Sequence, residues 1–186
     1  MTERDRAANI LGAAALAIND RADTVGRPAE VASDSMAAAL SAMDQFLDGP
    51  TLEQLRGVLG LSHSGAVRLV DRLVESGLAV RGRGVDGRSR RVTLSARGAR
   101  IAGEMSSARL TSLDALTSGL TAGERRTLTE LLGRVLGKVV ETKDGGAWTC
   151  RLCDLTACGR AKGRCPAANA ATRRFGPDAT GVHAGR

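Results

Sequence analysis

The chain is 186 residues long with a formal net charge of +7 and a pI near 10.2, room for one ordinary domain plus a small appendage. That balance favours a polyanionic partner. Aromatics are 2% of the chain and tyrosine is absent, which argues against single-strand binding on stacking platforms but leaves duplex DNA, gripped through phosphates and groove edges.

Residues 7–22 are apolar on nearly all faces, so they predict a helix that needs burial on several sides, against a second subunit. The run Ala7 to Ile18 is too short for a bilayer, which needs ~20 residues. The residues ahead of it (Glu3, Arg4, Asp5, Arg6) carry no net positive charge, and Asn19-Asp20-Arg21 stands where a signal peptide would be cleaved. The reading is a cytoplasmic protein with no membrane partner. A break at Asp23 to Pro28 precedes a second helix over 29–47, striped by Met36, Leu40, Met43 and Leu47. Asp48-Gly49-Pro50 ends it.

Thr51 with Gln54 three residues on is a capping-box signature, and Leu52, Leu55 and Leu59 give the following short helix its buried face. Gly60 suits a left-handed turn. Ser62 caps a helix over 63–76 with Val67, Val70, Leu73 and Val74 inside and Ser64, Arg68 and Arg72 outside. Gly77 stops that helix and Leu78-Ala79-Val80 forms a short strand. Residues 81–91 form a Gly/Arg hairpin turned at Asp86-Gly87, and residues 91–94 return as the second strand. A helix over 96–118 carries Ile101, Met105, Leu113 and Leu116. The next starts at a capping box, Thr121 with Glu124, and carries Leu128, Leu131, Leu132, Val135 and Val139. Gly145-Gly146 marks a boundary. After Pro166 the chain is small, polar and aperiodic, so 169–186 are expected to be a disordered tail.

Helix, glycine-containing turn, helix is the geometry that lays a recognition helix in the major groove. Ser62, Ser64 and Gly65 sit where small residues and N-terminal N–H groups meet phosphate. Arg68 and Arg72, one turn apart, reach guanine edges or backbone oxygens, against the plainer reading of a solvated basic face. His63 either contacts a base or phosphate or stands as an exposed helix start. The hairpin arginines (Arg81, Arg83, Arg88, Arg90, Arg91) suit a narrow minor groove. Asp86 is expected to orient a wing arginine through a forked pair. The fold class expected is mainly α with a small β-wing, a winged helix-turn-helix, with the helix pair at about 51–76 and the wing at about 78–95.

The string LxxVLGLSxSGAVRLVDRLVESGL followed by DGRSRRVTLSARG resembles the MarR family of bacterial winged helix-turn-helix regulators. That family's wing motif has the form D-x-R-S/A-x-x-V-x-L-T-x-x-G. It stands here as Asp86, Arg88, Ser89, Val92, Leu94, Ser95 and Gly98, with serine for the usual threonine. The likeness is specific over Thr51–Gly98 and extends in outline to roughly 5–142, within a first domain of 1–143. It implies a homodimer knit by the N-terminal and the two C-terminal helices, a pseudo-palindromic operator and, most often, repression. It also implies a small-molecule effector, although the scarcity of aromatics gives such a pocket no support here.

All four cysteines lie in a segment over 144–168, as Cys150, Cys153, Cys158 and Cys165 in the pattern C-x2-C-x4-C-x6-C-P. In a reducing compartment such a set suggests metal or redox chemistry before structural disulfides. Four thiolates so close suit an iron–sulfur cluster, the preferred reading, or a tetrahedral zinc site, with unmetallated redox thiols third. The ending in Cys-Pro resembles, in spacing only, the iron–sulfur loop of SoxR-type regulators. Gly159, Gly163 and Pro166 supply tight backbone, while Arg151, Arg160, Lys162 and Arg164 offset thiolate charge. Trp148 is expected to pack this appendage on the helical body, and His183 is not counted as a ligand. A redox enzyme or electron-transfer protein is the reading from another class. Against it stand the lack of a glycine-rich cofactor loop and the presence of only two histidines. The leading expectation is therefore a dimeric transcriptional regulator whose operator affinity follows the state of the cysteine segment.

Overall fold

Local capping chemistry sets where the helices begin. The computed structural model of the protein describes residues 2–24, 27–83, 90–140 and 145–176. Their order is α1 (Glu3–Thr24), α2 (Asp34–Gln45), α3 (Leu52–Leu59), α4 (His63–Glu75), β1 (Ala79–Arg83), β2 (Arg90–Leu94), α5 (Ala96–Thr117), α6 (Ala122–Val139), α7 (Gly145–Thr149), a 3-10 turn (Arg160–Lys162) and α8 (Pro166–Phe175). Capping boxes start α3 at Thr51 with Gln54 and α6 at Thr121 with Glu124, as their spacing requires. Helix α2 begins five residues later than expected. Ser33 accepts a hydrogen bond from the Met36 N–H, while residues just before it close a turn from the Val31 N–H to the Pro28 carbonyl.

The core is built around α2, whose residues Met36 to Met43 are all buried, and which packs against α3, α4, α5 and β2. Leu40, Leu55, Leu73, Leu78 and Ile101 fill its centre. Strands β1 and β2 pair antiparallel from Ala79 opposite Leu94 to Arg83 opposite Arg90. Ser95 joins wing to α5: its hydroxyl donates to the Gly77 carbonyl at 2.7 Å and accepts from the Gly98 N–H at 3.0 Å. Gly98 is required there, because a Cβ on it would lie 1.9 Å from the Leu78 carbonyl oxygen.

Two expectations change. Helix α1, expected to be buried on several sides, is exposed along nearly its whole length within one chain, with Ile10 54% and Leu16 70% exposed. The tail expected to be disordered from 169 instead continues helix α8 through Phe175. Its alanines 167, 168, 170 and 171 are buried, and it lies on α6 where Gly133 and Gly137 leave room for Pro166 and Ala170. Alanine carries little hydrophobic signal in a sequence, yet it packs closely against glycine. Residues 177–186, with His183, lie outside the described residues. Among the described residues no helix is long and apolar enough to cross a membrane.

Gly98→Ala is expected to cost about 3 kcal/mol or more, the upper end of overpacking penalties, because backbone must move. Gly103→Ala, where a Cβ meets nothing within 4 Å, should stay within about 1 kcal/mol of the parent protein or gain stability. Urea unfolding of both variants checks the contrast.

Candidate nucleic-acid interface and thiol cluster

The turn from α3 to α4 is closed by backbone. Gly60 sits at φ +62°, with its N–H on the Arg56 and Gly57 carbonyls, and the Leu61 N–H also returns to Arg56. Ser62 then caps α4, accepting from the Gly65 N–H at 3.1 Å and lying 3.3 Å from the Ser64 hydroxyl. Buried Ala66, Leu69, Val70 and Leu73 fix one face of α4 to the core. That packing leaves Ser62, His63, Ser64, Arg68 and Arg72 exposed, with Gly65 half-buried among them. Among the described residues neither Arg68 nor Arg72 makes an ion pair. Ser64, Arg68 and Arg72, four residues apart, thus share one exposed face of α4, with Ser62, His63 and Gly65 around its first turn.

The wing divides its arginines. Arg81 pairs with Asp71 of α4, a half-exposed bridge that ties the hairpin base to that helix and leaves Arg81 engaged. Its energetic worth is at most about 1 kcal/mol. Arg83 and Arg90 are exposed and directly opposite one another. Like charges so placed cost a strand pair stability, which an anion between them recovers. Side chains alternate along a strand, so these two share the hairpin face of Arg81. Arg91 points the other way. It is half-buried and donates from Nη1 to the Gly49 carbonyl at 2.8 Å, while the Val92 N–H reaches the Pro50 carbonyl at 3.0 Å. Arg91 therefore braces the wing against the α2–α3 connection. Asp86 and Arg88 lie outside the described residues.

The cysteine segment folds back onto the domain. Ala147 belongs to the main core, with Leu152 packed against it. Gln45 at the end of α2 accepts the Leu155 N–H at 2.9 Å. The Trp148 ring lies 3.5 and 3.7 Å from the point where Gly60 would carry a Cβ, with the Arg151 guanidinium stacked 3.5 Å from the ring centre. Trp148 thus packs the appendage on the body as expected, and its seat is the helix-turn-helix turn itself. Cys150 and Cys165 are buried, in a second cluster with Val140 and the α8 alanines, whereas Cys153 and Cys158 are half-buried. Phe46 touches both clusters.

The four thiols perturb one another. Hydrogen bonds from the Cys150 thiol to Cys153 and Cys165, then burial, push Cys150 far up. The same bond brings Cys153 down to about 7, helped by the Arg109 and Arg160 guanidiniums. Cys165 falls to about 5, chiefly through the Cys150 bond and then the Ala168 N–H, which donates to its sulfur at 3.5 Å. Burial and the neighbouring Cys165 raise Cys158 to about 12. Arg160 donates to the Cys150 sulfur at 3.7 Å. The four thiols thus lie within one another's influence, with the Arg160 guanidinium against Cys150. Among the described residues no group of three or more His, Cys, Asp or Glu side chains is arranged to hold a metal ion. Cys153 and Cys158 also line a cavity of about 270 Å³ between α1, α5 and the cysteine segment, beside Asn19, Arg109 and Leu152.

Sequence reasoning found the caps, the α4 face and the cysteines. It missed Gln45, Asp71 and the Gly49 carbonyl, whose partners lie 10 to 110 residues away and leave no local signature.

No family model matches the sequence, and no curated protein does. Solved structures are similar. A MarR family protein from Bacillus stearothermophilus is 21% identical at a TM-score of 0.64, over 76% of this chain and 99% of that chain. YusO from Bacillus subtilis is 14% identical at 0.60, over 73% and 97%. A MepR variant from S. aureus, solved bound to an oligodeoxyribonucleotide, is 16% identical at 0.53, over 70% and 96%. Likeness at these identities shows the fold, a MarR-like winged helix that is mainly helical with a small two-stranded wing.

Arg91→Ala should cost about 1.5 kcal/mol of stability through its lost charged hydrogen bond. Arg68→Ala should stay within about 0.5 kcal/mol of the parent. Denaturant titrations of the two variants distinguish a brace from a surface group.

Proposed function

We propose, from this MarR-like fold, that the chain is a DNA-binding transcriptional regulator, acting as a repressor and not as an enzyme. The observation that carries the reading is the outer face of α4, where Ser62, His63, Ser64, Arg68 and Arg72 stand exposed and Gly65 is half-buried among them, together with the exposed Arg83–Arg90 pair of the wing. Small residues and backbone N–H groups at the start of α4 meet phosphate, and the two arginines reach guanine edges in the major groove. Arg83 and Arg90 enter the adjacent minor groove. One structural neighbour, MepR, has been seen with an oligodeoxyribonucleotide, which supports the same partner here.

A second copy of the chain completes the molecule. Leu131, Leu132, Val135, Leu136 and Val139 recur on one side of α6, opposite the Gly133–Gly137 face that carries α8, and all five are exposed. Ile10, Leu11 and Ile18 on α1 are exposed as well, and exposed apolar side chains that cluster on a helix mark a surface for association. A homodimer through these helices presents two recognition helices to a pseudo-palindromic operator, ~34 Å apart. The cysteine segment is its sensing part, as an iron–sulfur cluster or a zinc site.

Sedimentation should give twice the 19.3 kDa chain mass. A Leu131→Asp/Val139→Asp double variant should shift toward monomer and lose operator affinity. Fluorescence anisotropy on a duplex from the protein's own upstream region should show affinity falling steeply with salt. Arg68→Ala or Arg72→Ala should either lower the salt slope by about 1, for a phosphate contact, or cost about 1–3 kcal/mol at one base pair, for a base contact. Absence of salt-sensitive binding to any promoter duplex would defeat the proposal.

A further inference from the structure

The segment from Gly145 to Gly176 carries most of the chain's net positive charge. It holds Arg151, Arg160, Lys162, Arg164, Arg173 and Arg174 against a single acid, Asp154. The Asp154 carboxylate is spent on backbone, one oxygen accepting the Thr156 and Ala157 N–H groups at 2.8 and 2.9 Å. Three of the cations are engaged as well. Arg151 stacks on Trp148 and donates to its carbonyl at 2.9 Å, Arg160 donates to the Cys150 sulfur, and Arg174 donates to the Val140 carbonyl at 3.3 Å. Lys162, Arg164 and Arg173 are exposed, and among the described residues none of the three makes an ion pair. These three stand on ordered backbone. Lys162 ends a 3-10 turn bracketed by Gly159 and Gly163, both at φ +68°. The Arg164 stem packs on that turn, its Cβ and Cδ 3.2 and 3.3 Å from the point where Gly159 would carry a Cβ. Asn169 of α8 donates from Nδ2 to the Gly163 carbonyl at 2.7 Å, and Arg173 follows Asn169 one turn along the same helix face. The three cations therefore gather on the side of α8 that carries the turn.

We infer that Lys162, Arg164 and Arg173 form a second duplex-gripping face, which holds phosphates flanking the stretch that α4 and the wing read. The inference rests on the DNA-binding reading and adds a contact surface to it. Its placement follows from how the segment is moored. Helix α7 packs on α3, and the Trp148 ring lies against Gly60 in the turn that leads into α4. In a helix-turn-helix the first helix crosses the DNA backbone while the second enters the groove. A segment packed on α3 therefore stands beside the backbone of a duplex lying on α4. The chemistry of the face suits the same partner. Between Gly159 and Arg173 no large apolar side chain is exposed, so the face lacks the apolar centre of a protein–protein contact. Fixed like charges repel, and a phosphate backbone relieves that repulsion while releasing its own counterions. Such contacts fix register and strengthen binding without reading sequence.

The test uses full-length protein and two duplexes, one carrying the footprinted operator alone and one with about ten further base pairs, a helical turn, on each side. Wild-type protein should bind the longer duplex more tightly and with a steeper salt dependence. Lys162→Gln/Arg164→Gln, which keeps long polar stems on the turn, should lower the slope of log affinity against log salt on that duplex by about 2 for each bound chain, and Arg173→Gln by about 1. Neither should alter the preference among operator base pairs, and on the short duplex both should bind as the wild type does. Arg125→Gln/Arg126→Gln removes the same charge from exposed positions at the start of α6 and should leave the slope unchanged. Urea unfolding of all three variants should follow the wild type. A slope that Lys162→Gln/Arg164→Gln leaves unmoved, or that Arg125→Gln/Arg126→Gln lowers as far, overturns the inference, and an equal loss on both duplexes overturns the flanking placement. A variant that loses retention on heparin yet keeps its DNA slope assigns the face to another polyanion and overturns it too. If the wild-type protein binds no duplex, the DNA-binding reading itself fails; if it binds and only these variants are silent, that reading stands without the second face.

Discussion

The left-handed turn at Gly60 is the point on which the rest of the architecture converges. It sets the angle between α3 and α4, because the chain can reverse there only through a residue at positive φ whose N–H satisfies the end of α3. A side chain at that position would also meet the Trp148 ring. The positive φ is what selects glycine there, and the Trp148 ring lies at ordinary contact distance from where a Cβ would stand. The helix-turn-helix and the thiol segment are in contact at this turn.

Charge is arranged with the same economy. The basic residues of the wing do not act as a uniform patch. Arg81 is occupied by Asp71 and Arg91 by the Gly49 carbonyl, so the hairpin is fastened at its base on both faces. Arg83 and Arg90 are left facing one another further out. A hairpin fastened at the base and strained by repulsion toward the tip favours a ligand that brings negative charge to that end. The fastening contributes little energy, since surface pairs are worth little, but it fixes the position of the hairpin.

Much of this was legible in the chain because it is local. Thr51 with Gln54, Ser62 with Gly65 and Thr121 with Glu124 announce helix starts within four residues, and each cap stands where its spacing places it. The wing strands follow from alternation, and the outer face of α4 follows from helical period. What escaped notice is either non-local or made of small residues. Nothing near Gln45 says that it will hold Leu155, and nothing near Asp71 says that it will meet Arg81. Helix α8 was hidden because its buried face is alanine, whose packing value appears only when Gly133 and Gly137 are set against it. The exposed apolar side chains of α1 show the converse: the pattern called for burial on several sides, and one chain does not supply it.

Helix α6 shows why the segment beyond it could be added to a fold of this kind. A helix that gives one side to an apolar stripe has its opposite side to spare, and here that side carries glycines at 133 and 137, one turn apart. Glycine weakens a helix by about 1 kcal/mol relative to alanine. Two in one helix are a real cost unless the close approach they permit returns it. Pro166 and Ala170 occupy that approach, and the buried alanines around them recover the loss through contact. Cys165 caps α8 and lies with Cys150 in the buried cluster that the α8 alanines complete. Helix α6 and the thiol segment are thereby in contact through α8.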